Sequence, residues 1–329
     1  MTTPHLTFFC ELEAQALAAM FHDPRVPEQL SAIGASVSMA LRDLSLERAG
    51  VVHALNQAGI PVIAWLVVPP EQGYYLNLDN ASQAEAAYAG FKAWSAEHAL
   101  QWGGVGLGIE PNLRDLDRLE QAPWETAVAW LRALPDAGRL RRGMAQYRDL
   151  LAQIRADGYL VESYVLPVII DERWAGSTLV ERLFGIMDLP ADREVLVLYT
   201  TLWGGAGALW SYGASCGGIA VGSTGGGIKN LPALSWAEVE RDLLLAHCWT
   251  DDIYLFSLEG CVQQGYLERL HDFDWARTVA APFGPARQIE ALRAGLRAVL
   301  WTSEHPAILL ALPALLALMQ LSRRRKPAL

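Results

Sequence analysis

Eight apolar runs, each followed by a stretch of helical periodicity, constrain this chain more than any other feature. The runs lie at 6–12, 35–41, 61–68, 102–112, 159–170, 194–201, 218–222 and 252–258. Helices are expected over 13–21, 46–59, 81–100, 113–156 with a break near 134–138, 177–187, 206–212, 236–248 and 262–270. Strand and helix patterns that alternate in this way imply parallel pairing, with each helix carrying the chain back across the sheet. An open doubly wound sheet would place a Gly-rich phosphate turn after its first strand. This chain has Cys10-Glu11-Leu12-Glu13 there. Eight units fit a closed barrel, which takes about 250 residues. We therefore expect an α/β fold: a (β/α)8 TIM barrel over 1–285, followed by a helical tail over 286–329.

The fourth run ends in an acid. In Gly103-Gly104-Val105-Gly106-Leu107-Gly108-Ile109-Glu110, the apolar side chains share one face. Gly106, Gly108 and Glu110 share the other. A carboxylate at the C-terminal end of a barrel strand lies where such folds keep their chemistry. Period two applied to every run brings further groups to that face. They are Glu11 and Glu13, Ser38 and Arg42, Trp65, Glu162 and Tyr164, Tyr199, Ser223, and Ser257 with Glu259. Crowded carboxylates raise one another's pKa, so one keeps a proton while another gives it up. Glycoside hydrolysis uses such a pair. Glu110 is the first candidate acid, and its partner is Glu259, Glu162 or Asp171. Glu11, Glu13, Arg42, Trp65, Tyr75, Tyr164, Arg173, Tyr199, Trp203 and Ser223 are candidate substrate contacts. Tyr75 lies in the aromatic loop Pro69-Pro70-Glu71-Gln72-Gly73-Tyr74-Tyr75, and Arg173 in the polar cluster Asp171-Glu172-Arg173-Trp174.

Composition excludes other classes. A net charge of −10 argues against nucleic acid as a partner. The loop Gly222-Ser223-Thr224-Gly225-Gly226-Gly227 lacks the Lys-Ser/Thr ending of a phosphate loop. No GxSxG supports a nucleophilic serine, and no cysteine pair has metal-ligand spacing. No metal and no cofactor is expected, and the ligand is a carbohydrate or another small polar molecule. Cys10 and Cys261 fall on what read as neighbouring strands, and buried free thiols are expected there rather than a bridge. The first residues show no signal peptide, so the cytoplasm is the default compartment.

The tail reads differently. An amphipathic helix is expected over 286–300. Residues 306–321 contain no Asp, Glu, Lys or Arg, and Arg323-Arg324-Arg325-Lys326 follow. That run is short for a ~30 Å hydrocarbon core. It fits a helix packed on the barrel or lying in a membrane interface; the alternative is a tail anchor, so membrane contact through 306–326 is an expectation. The oligomeric state is not encoded in any pattern found.

Residues 103–110 resemble the fourth-strand signature of the chitinase family, glycoside hydrolase family 18, which reads DxxDxDxE. Glu110 matches its terminal acid, Tyr199 is similar to its sixth-strand tyrosine, and 253–259 are loosely like its last strand. Gly103, Gly106 and Gly108 stand where the motif has aspartates. The resemblance implies a barrel acting on a carbohydrate through strand-end acids. Without an acid at 108 it does not imply the family's substrate-assisted chemistry. Either another carboxylate serves, or the barrel binds a carbohydrate without cutting it. The chain is also similar to uncharacterised bacterial proteins with glycosidase-like barrels, on Asp171-Glu172-Arg173, residues 222–227 and Ser257-Leu258-Glu259-Gly260.

Overall fold

The computed structural model describes residues 3–133, 136–215, 217–226 and 232–305. Eight parallel strands close into one barrel in sequence order. They are β1 (His5–Cys10), β2 (Ser36–Ala40), β3 (Val62–Leu66), β4 (Gly104–Ile109), β5 (Val161–Val165), β6 (Arg193–Val197), β7 (Gly218–Gly222) and β8 (Asp252–Phe256). Closure is made by β1 against β8, where Phe9 is opposite Phe256. The expected (β/α)8 architecture is the one observed.

Alternate residues of each strand face two different environments. Outward side chains such as Val105, Leu107 and Ile109 join the large apolar layer between barrel and helices. Inward side chains are stacked in three levels, and these levels decide where chemistry is possible. At the strand N-termini, Arg193 bonds Glu162 at 3.3 Å and lies 3.6 Å from Asp252. His5 meets Ser36 at 2.9 Å on the same floor. Above them Phe9, Trp65, Tyr164 and Tyr254 fill the barrel, with ring centroids 4.8 Å apart for Phe9–Tyr164 and 5.9 Å for Trp65–Tyr164. Above that plug lies an acidic mouth at the strand C-termini.

The glycines of β4 make room for the plug. A Cβ on Gly106 would stand 2.2 Å from Tyr164 Oη, and one on Gly108 2.8 Å from Trp65 Nε1. The space that the sequence leaves open is thus filled by rings from β3 and β5. Gly106→Ala is expected to cost about 1–3 kcal/mol through overpacking. Denaturant unfolding measures it, with Gly104→Ala, lower on the same face, as a comparison.

Two elements depart from the sequence expectation. The run 159–170 is not all strand: β5 ends at Val165, and Val168–Ala175 is a helix with Pro167 at its N-cap. A further helix, Arg25–Ile33, precedes β2 and ends at Gly34, whose φ is +70°. Cys10 and Cys261 are buried free thiols. The C-terminal helix Phe283–Glu304 packs on the flank of the barrel, against Val168–Ala175 and Ala206–Tyr212. Among the described residues no helix is long and apolar enough to cross a membrane. The expectations for 306–326, and those for Cys216 and Gly227, lie outside the described residues.

Candidate active site

Three glutamates meet at the mouth. Glu11 follows β1, Glu110 follows β4, and Glu259 lies in the first turn of the helix Leu258–Gln264, capped by Ser257. Tyr199 borders all three. Its hydroxyl is held well above its usual pKa by burial, and then by the charges of Glu110, Glu11 and Glu259.

Each carboxyl has a different environment. Glu110 is pushed up to about 8, first by burial and then by the charge of Glu11. Its carboxyl has no counter-ion among the described residues. Glu11 is 8% exposed, and burial raises it. The Tyr74 hydroxyl, which donates to Glu11 Oε1, and the Arg42 cation act in the opposite direction. Glu259 is raised to about 7, first by burial; its own N–H draws it down, Glu11's charge draws it up, and Glu11's N–H and the Ser257 hydroxyl draw it down. Glu259 Oε2 is buried and lacks a hydrogen-bond partner among the described residues. The acid that ionises most readily here is therefore Glu11, and the one that best keeps its proton is Glu110.

The walls are built to hold these groups. Arg48 is fully buried; it donates to Leu12 O at 3.0 Å and Ala40 O at 2.9 Å, tying the ends of β1 and β2. Its ion pair with Asp43, at 2.8 Å, completes that corner. Between β7 and β8, Thr224 donates to Ser257 O and accepts from Ser257 N, both at 2.9 Å. Ser257 Oγ donates to Gly225 O at 2.6 Å. Tyr74 has φ +63°, a left-handed conformation that costs a bulky residue energy. That conformation belongs to the residue whose hydroxyl reaches Glu11.

Of the candidate contacts, Tyr75 lies near Glu110 and Glu11, whose charges add to the burial that raises its hydroxyl. Arg42 bonds Glu13 and Glu11 O, and stacks 5.3 Å over Tyr74. Trp65 is 4% exposed, and its Nε1 is buried without a partner among the described residues. Tyr164 lies deeper, hydrogen-bonded to Ser38 at 2.7 Å. Ser223 is buried and accepts from Gly225 N at 3.2 Å. Trp203 packs into the outer apolar layer instead.

Three other acids or cations are placed elsewhere. Glu162 is on the floor, at the opposite end of the barrel from Glu110, because it is the second residue of a strand whose C-terminus forms the mouth. Asp171 lies on the barrel flank, in a helix, and its Oδ1 accepts from Arg293 Nε at 3.0 Å and Arg297 Nε at 2.7 Å. Tyr212 donates to its other oxygen. Arg173 is on the outer surface, paired with Asp188 and Glu194 at 2.6 Å each. Sequence reasoning overlooked the role of Tyr74, whose only signal was its place beside Tyr75. Among the described residues no three His, Cys, Asp or Glu side chains are grouped to hold a metal ion.

No family model matches this sequence. No curated protein matches it either. Among solved structures, the chain is similar to the glycoside hydrolase domain of PgaB (BpsB) from Bordetella bronchiseptica, with a TM-score of 0.50 and 11% identity over 83% of this chain and 99% of that one. It is also similar to D-psicose 3-epimerase from Clostridium cellulolyticum H10, with a TM-score of 0.40 and 14% identity over 91% of this chain and 99% of that one. A third similar structure is the exo-beta-1,4-mannosidase Op5Man5 from Opitutaceae bacterium strain TAV5, with a TM-score of 0.44 and 13% identity over 82% of this chain and 59% of that one. The first of these likenesses establishes a shared barrel fold.

Proposed function

We propose that this barrel hydrolyses a glycosidic bond, with Glu110 as general acid and Glu11 as the carboxylate that works with it. The observation that carries the reading is the split between them. Burial and the charge of Glu11 raise Glu110 to about 8, so it holds a proton at neutral pH. Burial raises Glu11 as well, but the Tyr74 hydroxyl and the Arg42 cation offset part of that rise, and Glu110 has neither. A protonated acid beside an ionised one is the pair that glycoside hydrolysis needs. Glu259, whose Oε2 has no hydrogen-bond partner among the described residues, is the alternative partner. Tyr75 and Tyr199 offer rings and hydroxyls to a sugar. The likeness to chitinases extends to Glu110 but not to position 108, where the space holds the Trp65 indole. The reading therefore does not use an acetamido group of the substrate as nucleophile.

A second reading rests on that same indole. A mouth floored by Trp65 and walled by tyrosines suits a barrel that binds a carbohydrate without cleaving it. A glycan array combined with a screen for reducing-end release separates the two. Turnover supports the first, binding without turnover the second, and neither result sinks both.

The pH profile tests the pair itself. Activity is expected to fall as pH rises through about 8, where Glu110 loses its proton. It is also expected to fall on the acid side, as Glu11 takes one up. The two limbs belong to the coupled pair rather than to either residue alone. Stability follows the same groups. Glu110 stays protonated above its ordinary 4.5 when folded, so the native state binds more protons than the unfolded chain between that value and about 8. Stability is then full below the window and declines as pH rises through it. Initial rates and denaturant midpoints across pH 4 to 9 provide the check; a flat alkaline limb in the rates contradicts the role given to Glu110.

A further inference from the structure

A second cleft lies beside the mouth. Its volume is about 290 Å³, and Asp79, Asn112, Asp115, Trp130, Arg139 and Phe184 are among the residues that line it. These residues belong to chain that leaves β3, β4 and β5 at their C-terminal ends, the end that forms the mouth. Glu110 and Asn112 are two residues apart, so at most about 7 Å separates their Cα atoms. The loop between β3 and the helix Ala81–Glu97 serves both places. Its Tyr74 reaches Glu11 and its Tyr75 lies near Glu110, while Asn77 is in the wall of the cleft. Asn77 Nδ2 and Asn80 Nδ2 donate to Tyr75 O at 3.1 and 2.8 Å, which fixes one side against the other. Gly73, with φ +113°, lets the loop pass: a Cβ there would stand 3.1 to 3.3 Å from the amide nitrogens of Asn80, Asn112 and Asn77.

The lining selects a class of ligand. Arg139 is held by Asp79 in a two-point pair, 2.6 Å at each contact. Asp115 adds a further negative charge, so the cleft does not favour an anion. An apolar ligand would leave its carboxylates and amides unpaired. Trp130 and Phe184 meet at 78°, with ring centroids 4.9 Å apart, and make an aromatic corner. A neutral polyhydroxylated ring satisfies both parts: its hydroxyls bond the polar groups, and its C–H face lies on the indole. We propose that this cleft is a second carbohydrate subsite, and that the ligand of the barrel is an oligosaccharide long enough to occupy the mouth and the cleft together. The volume is near the lower limit of ligand clefts, about 300 Å³, and suits one sugar unit. The proposal rests on the carbohydrate reading of the mouth, in either its hydrolytic or its binding form.

Isothermal titration of the full chain carrying Glu110→Gln, with β-linked oligomers of glucose, mannose and N-acetylglucosamine from the monomer upward, provides the test. Affinity for a series that binds is expected to rise with chain length. W130A in the same background should weaken the long members by about tenfold, the contribution of one stacked ring, and leave the shortest bound member unchanged. D115A is the second arm. The Asp115 side chain is 35% exposed, and its pair with Arg118, at 3.6 Å, adds little to the fold. It should weaken the same long members. Melting curves identify the folded variants, and where W130A does not fold, D115A alone decides. Affinity that does not depend on length overturns the subsite, as does an undiminished gain with length in the folded variants; in both cases the reading of the mouth stands. If neither the wild type nor Glu110→Gln binds any series, the carbohydrate reading itself falls, and the subsite with it.

Discussion

Glu110→Gln is expected to lower turnover by on the order of 10²–10⁴, the usual contribution of a positioned general acid. The amide has nearly the shape of the carboxylic acid, and among the described residues Glu110 makes no ion pair that the change would break. The fold should therefore survive. Removing an acid whose burial disfavours its charge should also relieve the fall of stability between about pH 4.5 and 8. The diagnostic is thus double: activity lost, and a denaturation midpoint that falls less between pH 5 and 8 than in the unaltered chain. Glu11→Gln should lower turnover as well. It should also bring the alkaline limb of a residual activity to lower pH, because one of the two causes that raise Glu110 is the charge of Glu11. Glu259→Gln separates the alternative partner: if it, and not Glu11→Gln, abolishes turnover, the pairing proposed here is wrong while the acid remains. Full activity in Glu110→Gln would remove the hydrolytic reading altogether.

Asp171→Asn is expected to be the most destabilising single change outside the mouth, costing about 3–5 kcal/mol. Asp171 is fully buried, and both arginine contacts reach the same oxygen. Neutralising it leaves Arg293, itself 5% exposed, with only the half-exposed Glu290 carboxylate at 3.2 Å to balance its charge. The penalty is then the desolvation of that cation rather than the modest net value of an ion pair. A pure loss of stability is expected, with kcat/KM and its pH profile unchanged at temperatures where the variant is folded. A catalytic role for Asp171, which the sequence pattern admits, predicts the reverse: lost turnover at nearly unchanged stability. R293M/D171L, which removes charge from both partners, should recover part of the loss, and calorimetry measures all three.

These outcomes trace back to what a sequence encodes locally. Strand positions and inward parity were legible because period two operates within each run: Glu11, Trp65, Glu110, Tyr164 and Tyr199 all face inward. Height along the barrel was not legible from parity alone. Glu162 and Glu110 share the inner face, yet one is the second residue of β5 and the other follows β4, so they lie at opposite ends. Asp171 was misplaced for a different reason. Val168-Ile169-Ile170 is apolar and buried whether it continues a strand or starts a helix, and hydrophobicity cannot arbitrate over so short a span. Pro167 could have been read as a helix start rather than a bend. Arg25–Ile33 had its own signals in Pro24 and Gly34. Tyr74 had only its place beside Tyr75, because its contact with Glu11 spans 63 positions and no local pattern selects which loop tyrosine makes it.

The rings lodged against β4 bear on how this barrel can change. A carboxylate at position 108 is not one substitution away. Its Cβ would fall against the Trp65 indole, which is itself wedged between Phe9 and Tyr164. A sequence drifting toward an acid-rich fourth strand must therefore shrink residue 65 first and tolerate a void until the acid arrives. The same holds for position 106 and Tyr164. Each single step leaves either an overpacked strand or a void, so the aromatic plug acts as a ratchet, and a library that varies β4 without β3 and β5 will not cross the gap.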